Sequence, residues 1–219
     1  MMPHTSHDSA FQNTHSVPES KAGFSLVEIL VVITIMALLV GLVSTAAINF
    51  LDKGEVTACQ SNLKQISENL ELYRQRMKKW PKEQGIRFLL VLTRGGTKHA
   101  MVAGRDCKVF ICPGTDDDNR GIDGQWGSAY EDWDNLDSTS ISYAGRNLID
   151  FKIRSDSDVI AADDNEGRKN HRYATNYVTK NYSVDSVDIL DFVEEYPDID
   201  WITVGSESEY EPFRCLQID

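Results

Sequence analysis

Glu28 stands at the head of a long apolar stretch, and from Ile29 to Leu51 no residue carries a charge. A carboxylate held in lipid costs about 2.5–3.5 kcal/mol at the bilayer centre and is normally found with a partner. Its chemistry is therefore electrostatic: it suits neutralising a positive group brought beside it. The other reactive groups lie in the polar part of the chain. Four cysteines, Cys59, Cys107, Cys112 and Cys215, allow three pairings. Cys107 and Cys112 are close enough in sequence to close a small loop, and Cys59 and Cys215 could tie a helix to the C-terminal end. A zinc site of Cys107, Cys112 and His99 has no second closely spaced ligand pair to support it.

Two acidic clusters suggest calcium. Asp116-Asp117-Asp118-Asn119-Arg120-Gly121 opens like a calcium loop, but Arg120 takes the fifth position and Gly127 the twelfth, where oxygen ligands belong. Asp163, Asp164 and Glu166 form a denser oxygen cluster after a strand-like run and are the metal candidates; no other cofactor is expected. His171 has no nucleophile or pocket assigned by the sequence, and reads as a histidine that hydrogen-bonds a loop. No phosphate-binding Gly loop, Ser-His-Asp order or His-Glu-x-x-His helix appears, so no catalytic residue is assigned and the expectation is a protein that is not an enzyme.

The elements that must position these groups follow from periodicity. Ile29 to Ile48 is twenty residues interrupted only by Thr34, Gly41, Ser44 and Thr45. As a helix it spans roughly 30 Å, the thickness of a bilayer core. Beyond it Cys59, Leu63, Ile66, Leu70, Tyr73 and Met77 recur at steps of four and three, which predicts that the helix continues with one apolar stripe until Pro81 stops it. The expected helix runs from about Phe24 to Lys79, with Gly54 as a bend. Residues 1–22 lack periodicity and read as a disordered leader.

After Trp80 the pieces are short. Ile86–Thr93 reads as a short helix or strand, and Lys108–Cys112, Ser140–Ala144, Asp158–Ala162, Asn176–Val184 and Asp200–Val204 read as strands. One helix followed by several strands gives the α+β class. With 34 acidic against 22 basic residues the formal net charge is −12, so no nucleic acid is expected as a partner.

The string Lys21-Ala22-Gly23-Phe24-Ser25-Leu26-Val27-Glu28 resembles the N-terminus of type IV prepilins and type II secretion pseudopilins, in which a polar leader ends in Gly and Glu is the fifth mature residue. The resemblance implies a division into leader 1–23, transmembrane and assembly helix 24–51, amphipathic continuation 52–80, and a pilin-like globular domain 81–219 whose small antiparallel sheet packs on the helix. It implies cleavage between Gly23 and Phe24 and N-methylation of Phe24 by prepilin peptidase, with Glu28 facing the amine of a neighbouring subunit. Implied partners are other pilin or pseudopilin subunits, an inner-membrane assembly platform with its ATPase, and membrane lipid. The implied location is a single pass through a bacterial inner membrane, N-terminus cytoplasmic and domain periplasmic, leading to a fibre. Cys59-Gln60-Ser61-Asn62-Leu63-Lys64-Gln65-Ile66 is similar to the helix of the secretion subgroup. A second, degenerate resemblance is to bacterial pilin-like proteins with Cys-Pro, Ser-Tyr and His-x9-Asp-Gly: Cys112-Pro113, Ser142-Tyr143 and His171 match, but Asn181-Tyr182 replaces Asp-Gly. Three other readings of the N-terminus remain at this stage: a plain anchor, a secretory signal cut after Ser44-Thr45-Ala46, or a tether for a secreted enzyme or binding domain.

Overall fold

Helix α1 begins where the sequence supplies its own cap. The computed structural model describes residues 23–94, 100–165 and 169–218, apart from the side chains of 42–49, and in it α1 runs Leu26–Met77. The Ser25 hydroxyl accepts the Glu28 backbone N–H at 3.2 Å, and the Glu28 carboxylate accepts the Ser25 N–H at 2.7 Å. This reciprocal pair satisfies two backbone donors that a helix start leaves open. The other end closes on Lys78, whose φ of 57° places it in the left-handed region just past the helix, with Pro81 beyond. Gly54 makes no break in the helix.

By contact the chain divides into two units, residues 1–45 and 46–219. In the first, Leu26, Ile33 and Leu39 are among many large apolar side chains left exposed. Among the described residues no helix is long and apolar enough to cross a membrane. The apolar run of the sequence continues through 42–49, whose side chains lie outside that set, as do residues 1–22 of the expected leader.

The second unit is α+β. Helix α2 (Ile86–Leu90) is followed by β1 (Tyr143–Arg146), β2 (Val159–Asp163), β3 (Ala174–Thr179), β4 (Val184–Asp188), α3 (Ile189–Glu195) and β5 (Leu216–Gln217); among the described residues five short 3₁₀ stretches lie between α2 and β1 and one between α3 and β5. The strands form one antiparallel sheet in the order β4-β3-β2-β1-β5. One face carries Tyr143, Ile160 and Val178 against the α1 stripe of Cys59, Leu63, Ile66 and Leu70, all fully buried. The opposite face carries Ala144, Val159 and Ala162 against Phe192 of α3 and Ile202, Phe213 and Leu216 of the C-terminal segment. Gly145 permits the close approach of β1 to the entry of α2, since a Cβ there would lie 2.1 Å from the Gly85 carbonyl oxygen.

The expected strand 176–184 is broken at Asn181-Tyr182 into the end of β3 and the start of β4, and two further expected strands take other forms. Residues 104–110 wind as a 3₁₀ helix, because Cys107 and Phe110, three apart, share its buried side. Residues 200–204 join no ladder: Asn165 Nδ2 donates to the Ile202 carbonyl at 2.8 Å and Ser208 Oγ to the Thr203 carbonyl at 2.8 Å, so side chains take the place of a neighbouring strand. Helix α3, capped by the Asp188 carboxylate accepting Leu190 N–H at 2.8 Å, lies outside the sequence expectation, as does the two-residue β5.

Candidate functional site

The Gly23–Phe24 bond lies in non-helical chain just before α1. Phe24 is 83% exposed, and among the described residues nothing lies within 4 Å of where a Cβ on Gly23 would stand. A protease can therefore reach the bond without unwinding the helix. One residue further on, Ser25 and Glu28 form the reciprocal cap, so the Glu28 carboxylate lies against the backbone of Ser25. The Ser-x-x-Glu spacing is readable in sequence as a capping box; the apolar surroundings of Glu28 drew the sequence reading to an intermolecular partner instead.

Residues 20–44 match the family model described as the prokaryotic N-terminal methylation motif. The chain carries that motif. The methylation motif is that of type IV pilin and pseudopilin precursors, and it implies processing by prepilin peptidase and assembly with pilin subunits. It suggests a membrane-anchored, pilin-like protein, and the α+β architecture is consistent with a pilin-like fold. Neither a curated protein nor a solved structure matches the chain.

The second group of functional candidates meets between α1 and the sheet. Cys112 is bonded to Cys59, not to Cys107; Cys107 and Cys215 are both free and buried. The short Cys107–Cys112 loop fails because the 3₁₀ turn points Cys107 elsewhere, toward Gly127, while Cys112 meets the α1 stripe. Burial and the Asp106 charge push the Cys107 thiol up to about 11, and burial also raises Cys215, so both stay protonated and unreactive near neutrality. The zinc reading loses Cys112 to the disulfide, and His99 lies outside the described residues.

His171 is buried beside this disulfide, with Nε2 3.3 Å from Cys112 Sγ and 3.8 Å from Asp163 Oδ2. Asp163 is fully buried; its Oδ2 accepts from Asn176 N at 2.7 Å and Asn176 Nδ2 at 3.0 Å. Burial, with the neighbouring Asp164 charge, pushes Asp163 up to about 8, while burial lowers His171. The pair therefore rests as a neutral acid beside a neutral imidazole rather than as an ion pair. Asp163 thus turns inward to Asn176, Asp164 is also buried, and Glu166 lies outside the described residues. In the other acidic cluster Arg120 Nε donates to both Asp118 carboxylate oxygens at 2.9 Å, which engages the carboxylate at the third position of the calcium-like loop.

Asn181 and Tyr182 form the β3–β4 turn, with Tyr182 N–H donating to the Thr179 carbonyl at 2.9 Å. Tyr182 takes a φ of 65°, a conformation that costs a non-glycine residue about 1–2 kcal/mol. Contacts to α1 offset it: the Tyr182 hydroxyl donates to Glu71, and Lys64 Nζ donates to the Tyr182 carbonyl at 2.8 Å. Arg74 grips the same Glu71 through two hydrogen bonds and, with Tyr182 and Gln75, holds its carboxyl down at about 2. Tyr182→Phe is expected to lower unfolding free energy by about 1–2 kcal/mol, since a hydrogen bond to a charged group is lost at a partly wet site. Urea unfolding checks this, and an unchanged midpoint would show that the turn is held by its backbone alone.

Proposed function

We propose that this protein is a non-enzymatic subunit of a type IV pilus-like fibre or a type II secretion pseudopilus. The observation that carries the reading is the methylation motif at residues 20–44 with its Gly23–Phe24 bond exposed and outside the helix. In this reading prepilin peptidase cuts after Gly23 and methylates Phe24. The apolar helix waits in the inner membrane, N-terminus cytoplasmic and domain periplasmic, until an assembly platform and its ATPase extract it into the fibre. Removal of the leader exchanges a continuing chain for a charged amine on Phe24, and Glu28 is the nearest acidic group in a stretch otherwise without charge. In a packed array of helices, pairing Glu28 with the amine of the next subunit removes two lone charges from an apolar interior and sets the register. The sheet and its loops form the outer surface, where the acidic balance keeps the fibre soluble.

Mass spectrometry of the protein isolated from its native membrane tests this. The expected N-terminus is N-methyl-Phe24, and Glu28→Ala is expected to be processed but absent from sheared fibres. A chain starting at Ala47 would show export by signal peptidase and overturn the reading, as would an uncut Met1.

A further inference from the structure

Asp52 and Glu55 stand three residues apart on α1, one turn before Cys59, and so share the face that packs on the domain. Both are half-buried, and each offers a carboxylate oxygen within 4.8 Å of the other and of an imidazole nitrogen of His171. His171 is 2% exposed, yet its Nδ1 has no hydrogen-bond partner. A buried imidazole nitrogen without a partner is costly unless something else fills that role.

The ring's other nitrogen fixes which of the two is the lone-pair site. Nε2 faces the Cys112 sulfur and Asp163 Oδ2, the oxygen that already accepts twice from Asn176. Because Oδ2 accepts from Asn176, the proton of the neutral acid lies on Oδ1; Oδ2 and the disulfide sulfur are both acceptors, which puts the imidazole proton on Nε2 and the lone pair on Nδ1. Nδ1 opens on a space left by the absence of a side chain at Gly114. A Cβ placed there would lie 3.2 Å from Nδ1, 3.3 Å from Glu55 Oε2 and 2.6 Å from the Asn170 carbonyl oxygen. Asp52 is aimed by its neighbour in space, with Oδ1 accepting the Arg172 backbone N–H at 3.2 Å.

We propose that Asp52, Glu55 and His171 Nδ1 bind one divalent transition-metal ion of the zinc class. One imidazole and two carboxylates form a borderline set that suits zinc, whereas calcium and magnesium favour all-oxygen shells. Around a tetrahedral ion with bonds of about 2.0–2.2 Å the ligand atoms lie roughly 3.3–3.5 Å apart. Rotation of the two half-buried carboxylate side chains closes the difference, while the packed imidazole stays in place. The Asn170 carbonyl or water completes the fourth position. Nε2–H then points at the Cys112 sulfur, 3.3 Å away, with Asp163 Oδ2 behind it at 3.8 Å. The ion would join α1 to the segment between β2 and β3 beside the Cys59–Cys112 bridge, and it rests on the folded domain alone, independent of how the N-terminus is processed.

The test uses the full chain in detergent, stripped with EDTA and titrated with zinc chloride while calcium is present in excess. His4, His7 and His15 of the leader are replaced by Ala to remove adventitious ligands. The expected result is one zinc per chain, a thermal midpoint raised by zinc, and a loss of affinity of roughly tenfold or more in Asp52→Asn/Glu55→Gln. Because that variant changes only half-buried side chains, its fold can be checked by circular dichroism, which His171→Asn, at the buried ring, does not guarantee. No zinc uptake, displacement by calcium, or unchanged affinity in the folded double variant would each overturn the proposal.

Discussion

Replacing both Cys59 and Cys112 by Ser is expected to lower the unfolding free energy by about 4 kcal/mol. The bridge joins residues 53 apart in sequence, and in the chain-entropy account a loop of that length removes about 4 kcal/mol of freedom from the unfolded chain. Domains have only about 5–15 kcal/mol of net stability, so this single bond carries a large share. It also pins the loop carrying Cys112 and Gly114 to the α1 stripe, where Cys59 is fully buried. Urea unfolding of the full chain with and without reductant checks the value, and peptide mapping under non-reducing conditions checks the pairing. Equal midpoints in both conditions, or a Cys107–Cys112 peptide, would refute it. Reduction is also expected to loosen His171, whose Nε2 rests on the Cys112 sulfur.

Relative to Asp163→Asn, the wild-type protein is expected to lose stability as pH rises from about 4 to about 8. Asp163 holds its proton in the folded protein up to about 8 because the side chain is fully buried beside Asp164. In the unfolded chain it returns to an ordinary value near 3.9. Between these limits the folded state binds the extra proton, so unfolding releases it and is favoured by higher pH. The stabilisation is complete below about 4 and lost as pH passes through about 8, with a slope of at most about 1.4 kcal/mol per pH unit. An amide keeps the acceptor that Asn176 uses but has nothing to ionise, so the variant lacks this falling component and retains the rise toward about 6.5 that buried His171 gives. Unfolding midpoints at pH 5 and pH 8 for both proteins measure the effect. A wild-type profile parallel to that of the variant would mean that Asp163 is ionised and paired in the fold.

The long helix is legible in sequence because two independent periodicities agree, an all-round apolar run and then a single stripe, with Pro81 as the stop. Strands β2 and β3 are legible because Val159–Asp163 and Ala174–Thr179 sit at the centre of the sheet, where β-branched and apolar content is highest. Residues 108–112 have the same composition but form a turn, because their burial follows a period of three imposed by Phe110 and Cys107 meeting the core. The disulfide is not legible: separation in sequence favours Cys107 for Cys112, and only the docking of the 104–114 segment on α1 brings Cys59 within reach. The same docking explains why Asp52, Glu55 and His171 escape a sequence reading. Their oxygens and nitrogen converge from segments more than a hundred residues apart, at no spacing that a motif describes. The Glu28 cap is available locally, in Ser25-Leu26-Val27-Glu28, and needs only the helix start to be placed two residues later than Phe24, at Leu26, with Ser25 as the cap.

The Cys59–Cys112 bridge has a mechanical meaning as well as a thermodynamic one. A pull applied to the N-terminal part of the helix and resisted by any attachment after residue 112 travels along α1 to Cys59 and crosses directly to Cys112. The intervening chain, including the last turns of α1, helix α2 and the 3₁₀ turn, is a closed side loop that bears none of that tension. The sheet begins at Tyr143, downstream of the crossing, so traction on the helix reaches the strands through a covalent link rather than through the apolar packing of Leu63, Ile66 and Leu70.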